Sequence, residues 1–332
     1  MKREVARIKR FITAILTGLL GAVLLSPGLG LAAPYRIGVP SPSVSYLPLI
    51  VAWKMGFFAQ EGVQAEFIVM KPSIIPPAMV NGEIHLTTAT GTAIGATLRG
   101  FPFKTVIFFS NKLMDSLITR AEIRTFADLR GKIIGVDTPG ATTDVITRLL
   151  IQKNGLDPSR DLKILSTGHE EIRLEQLKIG QIDGAMLGPQ GVVVAKRGGL
   201  RVLADVADHI DLPFVGAATH DQIIERRRDE LKRFLRASVR GIRYTVDAGN
   251  RSKVVSLMQQ WLNLDQETAE YTYDVFKKVA AADGTLTRAQ METLLEERKR
   301  QTKVTADIPL DKIYNFSMVQ EINRELPLEK SR

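Results

Sequence analysis

The sequence predicts an α/β protein of two similar lobes, each a mostly parallel sheet flanked by helices. Three observations lead to this prediction: the length, a diverged internal repeat, and short apolar runs that alternate with helical patterns. A chain of 332 residues exceeds the common size of one domain, so two domains are the starting expectation. Strand and helix patterns that alternate in this way are typical of parallel sheets with crossover helices.

The internal repeat is the most informative feature. The segment IGVPSPS that contains Gly38 resembles the segment IGVDTPG that contains Gly135. A second pair of similar segments lies around Gly82 and Gly180, so the paired glycines are 44 and 45 residues apart. Each copy has the order strand, helix, strand, helix, strand, helix, strand. The repeat therefore predicts two lobes with the same plan.

The last third of the chain has a helical pattern and no strands. The apolar stripe of its first helix repeats at i, i+3 and i+4 and comprises Leu231, Phe234, Leu235, Ser238, Val239, Ile242 and Val246. Asp265 and Thr287 are expected helix starts, and Gly249-Asn250 and Asp283-Gly284 are expected breaks. Because these helices have no sheet of their own, we expect them to pack on lobe one.

The domain prediction follows from these patterns. Lobe one comprises residues 34–112 and 218–332, and lobe two comprises residues 113–217. The chain would cross between the lobes at Phe109 to Arg120 and at Pro213 to Thr219. These two crossings are the expected hinge.

The first 33 residues differ in composition from the rest of the chain. A basic start is followed by an uncharged apolar run from Phe11 to Leu25, a break at Ser26-Pro27-Gly28, and small residues. This order predicts a secretory signal peptide over residues 1–33, cleaved near Ala32 or Ala33, and hence a periplasmic protein. A retained N-terminal membrane anchor is the alternative interpretation.

Composition excludes several classes of function. The sequence has no cysteine, so a disulfide, a thiolate metal site and a thiol nucleophile are excluded. The four histidines, His85, His169, His209 and His220, form no metal-binding motif, and we expect neither a metal nor a cofactor. The basic residues lie in mixed-charge runs without an aromatic patch, so nucleic-acid binding is not expected.

Four loops carry the expected ligand site. In open parallel sheets, ligands bind where strands end and helices begin. Those positions here are rich in hydroxyl groups and glycine, and the candidate binding residues in them are Ser41, Ser43, Ser45, Tyr46, Thr88, Thr90, Gly91, Thr92, Thr138, Gly140, Thr142 and Thr143. Helix starts bind anions through N–H groups without a formal charge. Any single Ser or Thr could instead be an ordinary N-cap.

The ordered series of short motifs resembles the nitrate/sulfonate/taurine class of periplasmic substrate-binding proteins of ABC importers, in a superfamily that includes thiamine-pyrimidine synthases. The resemblance spans Tyr35 to about Gly249. Its motifs are LPL at 47–49, KMGFF at 54–58, NGEI at 81–84, DLRGK at 128–132 and GQIDG at 180–184. It implies a type II periplasmic-binding fold, in which two lobes close on the ligand.

The resemblance also implies specific site residues. Ser43, Ser45, Tyr46, the Thr90-Gly91 turn and Gly140 to Thr142 would line the site, together with Gly188 and the crossing residues Ser110 and Asn111. Two departures stand out. His85 occupies a position where acidic residues are common, and no basic residue is evident for the cleft, which is unfavourable for a nitrate or sulfonate ligand.

The expected function is therefore that of a receptor rather than an enzyme. It would bind a small anionic or zwitterionic organic molecule and deliver it, as a monomer, to the permease of an ABC importer. An enzyme acting on a pyrimidine or thiamine precursor is one alternative, although such a synthase carries a cysteine-rich motif. A sensory binding protein is the other.

Overall fold

The computed structural model describes residues 34–326, and the expected signal peptide, residues 1–33, lies outside the described residues. The strands are β1 (Tyr35–Val39), β2 (Ala65–Val69), β3 (Leu86–Thr87), β4 (Phe103–Ser110), β5 (Ser116–Thr119), β6 (Ile133–Val136), β7 (Lys163–Ser166), β8 (Gly184–Leu187), β9 (Arg201–Asp205) and β10 (Val215–His220). They form two five-stranded sheets, ordered β2-β1-β3-β10-β4 in the first and β7-β6-β8-β5-β9 in the second.

Fifteen helices lie in the described part of the chain. Those before β10 are α1 (Leu47–Lys54), α2 (Phe57–Gln60), α3 (Ile75–Val80), α4 (Thr90–Thr97), α5 (Thr142–Lys153), α6 (Glu170–Lys178), α7 (Pro189–Arg197) and α8 (Val206–His209). Those after β10 are α9 (Asp221–Arg226), α10 (Arg228–Val246), α11 (Arg251–Leu262), α12 (Gln266–Val279), α13 (Arg288–Thr302), α14 (Leu310–Ile313) and α15 (Ser317–Glu325). None of these helices between residues 34 and 326 is long and apolar enough to cross a membrane.

The two sheets share one plan, as the repeat predicts. Strands β1 to β4 and β6 to β9 occupy equivalent places in the two sheet orders. In each sheet four strands run one way, and one strand, β10 or β5, runs the other way. The predicted α/β fold with mostly parallel sheets is therefore confirmed. The lobe boundaries remain a prediction.

The crossings differ from the segments that the sequence predicted. Half of the segment from Phe109 to Arg120 is strand, because β4 ends at Ser110 and β5 begins at Ser116; β10 occupies most of the segment from Pro213 to Thr219. The actual connections are residues 111–115 and 206–214. Both added strands are completely buried and show no polar alternation, so their sequences carry no period-2 signal.

The C-terminal helices complete the core of the first sheet. The predicted apolar stripe of α10 is buried except for Val246, which is partly exposed. Helix α10 packs directly on α1. At Gly241 the approach is so close that an added Cβ would lie 2.2 Å from the carbonyl oxygen of Pro48. Asp265 and Thr287 cap α12 and α13 as predicted.

Replacing Gly241 by Ala should destabilise the fold, because the added methyl group would force α10 away from α1. Overpacking of this kind costs about 1–3 kcal/mol. The free energy of unfolding, measured in urea, should fall accordingly. Gly95→Ala is the matched control, because its Cβ would meet no atom closer than 3.5 Å. Equal effects of the two changes would contradict the packing argument.

Candidate functional site

Two short connections join the carboxyl edges of the two sheets, where the parallel strands end, and the space between these edges is called the gap below. Strand β4 ends at Ser110, and β5 begins at Ser116, which pairs with Leu187 at the end of β8. Only residues 111–115 connect them, so these two points lie at most about 20 Å apart. The second connection joins Asp205, which pairs with Ser116, to Val215, which pairs with Ser110. Both connections thus link carboxyl edge to carboxyl edge.

This topology brings the predicted loops to the same gap. The loops that follow β1 and β3 are neighbours because Gly38 pairs with Thr87. The loops that follow β6 and β8 are neighbours because Gly135 pairs with Ala185. The first pair lies on the edge of the first sheet and the second pair on the opposing edge of the second sheet.

The loop after β1 is held by its own hydroxyl groups. The Ser43 Oγ accepts a hydrogen bond from the Ser45 backbone N–H at 3.2 Å and lies 2.8 Å from the Ser45 Oγ. The Tyr46 hydroxyl donates to the Ser41 carbonyl oxygen at 2.5 Å. Burial raises the pKa of Tyr46 to about 12, so this phenol stays protonated and holds the loop. Ser41 is exposed, Ser43 is partly exposed, and both remain accessible to a ligand.

The residues of the loop after β3 mainly contact other parts of the protein. The buried Thr90 hydroxyl accepts a hydrogen bond from the Gly216 N–H at 2.8 Å and donates to the Thr88 carbonyl oxygen at 3.3 Å. Gly91 leaves room for the Arg298 guanidinium, which would lie 2.5 Å from an added Cβ. Among the described residues the Thr88 Oγ1 has no hydrogen-bond partner, although the side chain is only 3% exposed. Thr88 is therefore a better polar candidate than Thr90.

Ser110 and Asn111 lie where the first crossing begins. Ser110 is fully buried, and its Oγ accepts a hydrogen bond from the Val215 N–H at 3.4 Å. The Asn111 N–H donates to the Val279 carbonyl oxygen at 2.9 Å. Both residues therefore tie the crossing to β10 and to the end of α12.

On the second sheet, the loop after β6 presents Gly140, Ala141 and Thr142 at the start of α5. Gly140 adopts φ +79°, a conformation that favours glycine. Its N–H donates to the Asp144 Oδ2 at 2.8 Å, and Asp144 also pairs with Arg148 at 2.7 Å. Gly140 is exposed, and Ala141 and Thr142 are partly exposed, so this loop can be reached from the gap.

The loop after β8 contains an internal carboxylate. The Glu170 Oε2 accepts a hydrogen bond from the Gly188 N–H at 2.9 Å. An added Cβ on Gly191 would lie 2.4 Å from the Glu170 Oε1, so the carboxylate fits only over glycine. Glu170 therefore occupies the N-terminus of α7.

Two further ionisable side chains lie beside Glu170. The buried Arg173 donates from Nε to the Met186 carbonyl oxygen at 3.2 Å. Asp115 immediately precedes β5, and its pKa is raised to about 6, first by burial and then by the Glu170 charge, while Arg173 opposes the shift. Sequence reasoning missed this cluster, because Asp115 and the helix that carries Glu170 and Arg173 are more than 50 residues apart in the chain. The pair Gly188 and Gly191 at the start of α7 was the one available signal.

His85 has a structural role. Its Nδ1 accepts a hydrogen bond from the Arg36 N–H at 2.9 Å, and its ring stacks on Tyr35 at 4.9 Å. Burial, with Arg227 and Arg36 nearby, lowers the pKa of His85 to about 4. The ring is therefore neutral at physiological pH and lies at the opposite end of β3 from the gap.

Two surface cavities lie outside the predicted loops. One, of about 840 Å³, is lined by α13, α14 and α15, and the other, of about 660 Å³, lies between α1 and α11. None of the predicted binding residues lines either cavity. The second cavity includes Trp261, whose ring contacts Tyr46 edge-on at 5.7 Å. Neither cavity therefore coincides with the loops at the two carboxyl edges.

Comparison with known proteins agrees with this architecture. The chain is 18% identical to YtlA of Bacillus subtilis over 304 residues, which cover 87% of this chain and 90% of that protein. It is 25% identical to the riboflavin-binding protein RibY of Chloroflexus aurantiacus over 223 residues, which cover 62% of this chain and 60% of RibY.

A solved structure shows the same fold. The periplasmic aliphatic sulphonate binding protein SsuA from Escherichia coli superposes with a TM-score of 0.71 at 14% identity, covering 90% of this chain and 94% of that one. The periplasmic-binding fold that the sequence motifs implied is therefore confirmed. Residues 43–250, more than half of the sequence, match the family described as NMT1/THI5-like, and the chain belongs to that family.

Proposed function

We propose that the protein is an extracytoplasmic receptor that binds a small organic molecule between its two carboxyl edges. It delivers this molecule to the permease of an ABC importer, acts in the periplasm as a monomer, and catalyses no reaction. The two lobes would comprise residues 34–112 with 218–332, and residues 113–217, and would close by rotation about the crossings.

The opposed carboxyl edges carry this proposal. Two connections, residues 111–115 and 206–214, join the sheets at the edges where helices begin. Such edges bind ligands in open α/β sheets, and a gap between two of them can enclose a ligand from both sides. The names of similar proteins support the same function: RibY is a riboflavin-binding protein, and SsuA is a periplasmic aliphatic sulphonate binding protein.

The hydrogen-bond partners of the hydroxyl groups in the candidate loops favour binding over catalysis. The Ser43 hydroxyl pairs with another serine hydroxyl, and the Thr90 hydroxyl bonds only to backbone atoms. Among residues 34–326, neither has a histidine or carboxylate base as its hydrogen-bond partner. These contacts shape a surface and do not activate a nucleophile.

The charges at the two edges favour a ligand of mixed polarity. The first edge offers hydroxyl and backbone groups, whereas the second carries the carboxylates of Glu170 and Asp115 beside Arg173. Because Glu170 already occupies the start of α7, that helix offers no vacant anion site. A zwitterion, or a ring that carries N–H groups, fits this arrangement better than nitrate does.

Thr142→Trp should abolish ligand binding without unfolding the protein, because the indole would fill the gap from the start of α5. Native mass spectrometry of the purified protein should show a small molecule retained by the wild type and absent from the variant. Thr293→Trp is the matched control, since Thr293 is exposed on α13. Retention of the same molecule by Thr142→Trp would remove this loop from the site.

The stability of the protein should depend on Asp115 between about pH 4 and pH 6. The pKa of Asp115 rises from 3.8 to about 6 on folding, so the folded state binds its proton more tightly. This contribution to stability is complete below pH 3.8 and is lost as pH rises through about 6. When the free energy of unfolding is measured in urea from pH 4 to pH 7, it should fall less steeply with pH in Asp115→Asn than in the wild type.

The control for this titration is Asp307→Asn, the same substitution at an exposed position. Its stability profile should run parallel to that of the wild type. A parallel profile for Asp115→Asn as well would show that the Asp115 carboxyl is not perturbed by Glu170 and burial.

A further inference from the structure

Helix α12 contacts the cores of both sheets. One face of the helix packs into the core of the first sheet through Ala269, Tyr273, Phe276 and Val279. Tyr271 points elsewhere and packs against the core of the second sheet, which includes Leu187, Val192 and Ala195. Helix α12 therefore joins the two cores independently of the two crossings.

A charged contact fixes the first turn of α12 to the end of α7. Arg197 on α7 forms two hydrogen bonds of 3.0 Å to the carboxylate oxygens of Asp265 and further bonds of 2.6 and 2.9 Å to the Glu267 Oε2. Asp265 is also the N-cap of α12 and accepts the Thr268 N–H at 2.9 Å. The Arg197 guanidinium is thus bound to two carboxylates, those of Asp265 and Glu267, whose positions are fixed by the start of α12.

Tyr271 adds a second contact between the same helices. The Lys196 Nζ lies 5.3 Å from the centre of the Tyr271 ring. Burial and then the nearby charge of Asp205 raise the pKa of Tyr271, whereas Ser116, the first residue of β5, lowers it. Ser116 in turn donates to the Asp205 Oδ1 at 2.6 Å, at the end of β9.

The other end of α12 lies at the first crossing. The Val279 carbonyl oxygen accepts the Asn111 N–H, and Ala280 bridges to Ser110. With 14 residues, α12 is about 20 Å long, so its charged start lies far from this point. A rotation of one sheet about the crossing therefore moves Arg197 against Asp265 and Glu267 much more than it moves Asn111 against Val279.

We propose that α12 is a latch, and that Arg197 with Asp265 and Glu267 sets how readily the gap opens in the absence of ligand. When Arg197 is bound to Asp265 and Glu267, the two sheets keep the arrangement described above. When these contacts are broken, the two sheets rotate more freely relative to each other. This proposal rests on the receptor function in one respect, namely that the ligand binds in the gap. It adds that residues outside the ligand site control how readily the gap opens.

The latch predicts a change in the separation of the two edges. Since the chain has no cysteine, Ser73→Cys and Glu171→Cys introduce two unique, exposed spin-label sites near the carboxyl ends of β2 and β7. Distances between the labels are measured by pulsed electron paramagnetic resonance on protein shown by native mass spectrometry to be ligand-free. Arg197→Ala should raise the ratio of long to short distances roughly two- to fivefold.

Arg251→Ala is the matched control. Arg251 pairs with Asp274 at 3.1 Å and with Glu270 at 3.9 Å, and thus joins α12 to α11 on the first-sheet side alone. Its distance distribution should match that of the wild type. High salt should shift the wild type towards the Arg197→Ala distribution and leave that variant unchanged, because salt screens exposed ion pairs.

Two outcomes would overturn the latch: an Arg197→Ala distribution identical to that of the wild type, or an equal shift in Arg251→Ala. Either would leave the receptor function intact if the mass spectra still show a retained ligand. Conversely, a shift confined to Arg197→Ala, together with mass spectra of the freshly purified wild type that show no small molecule, would support the latch and count against the receptor function.

Discussion

The pairing of one antiparallel strand into each sheet constrains the rest of the structure. Strand β10 lies between β3 and β4, and β5 lies between β8 and β9, so each crossing ends inside the sheet that it enters. The fit is close: a Cβ on Gly216 would lie 2.1 Å from the Ile107 carbonyl oxygen. Because both strands begin at carboxyl edges, the two crossings join those edges directly. This pairing therefore determines where the candidate binding loops lie.

Much of the fold could be predicted from the sequence because the repeat preserves spacing. Two copies of the order β-α-β-α-β-α-β, with glycines at matching intervals, are sufficient to define two sheets of four parallel strands. The amphipathic stripe of α10 and the caps at Asp265 and Thr287 are local patterns, and they too were predicted correctly. Strands β5 and β10 were missed because short, fully buried runs have no periodicity to distinguish them from connections.

The site could be predicted only in outline. The loops follow from strand ends, which are local, but the groups that decide their chemistry come from distant parts of the chain. Arg298 occupies the space above Gly91 from more than 200 residues away, and Glu170 reaches over Gly188 from a different helix. A glycine in a sequence signals that something approaches closely; it does not tell whether the neighbour is a ligand, a guanidinium or a carboxylate.

The position of β10 in the middle of the first sheet also has a consequence for the order of assembly. The second sheet is built from one continuous stretch, β5 to β9, whereas the first sheet lacks a central strand until residue 220 has been synthesised. Its core further requires α10, which is later still. Long-range pairings of this kind form slowly, because distant segments must meet before any contact stabilises them. The second sheet is therefore the unit that can fold first, and the first sheet would close around it.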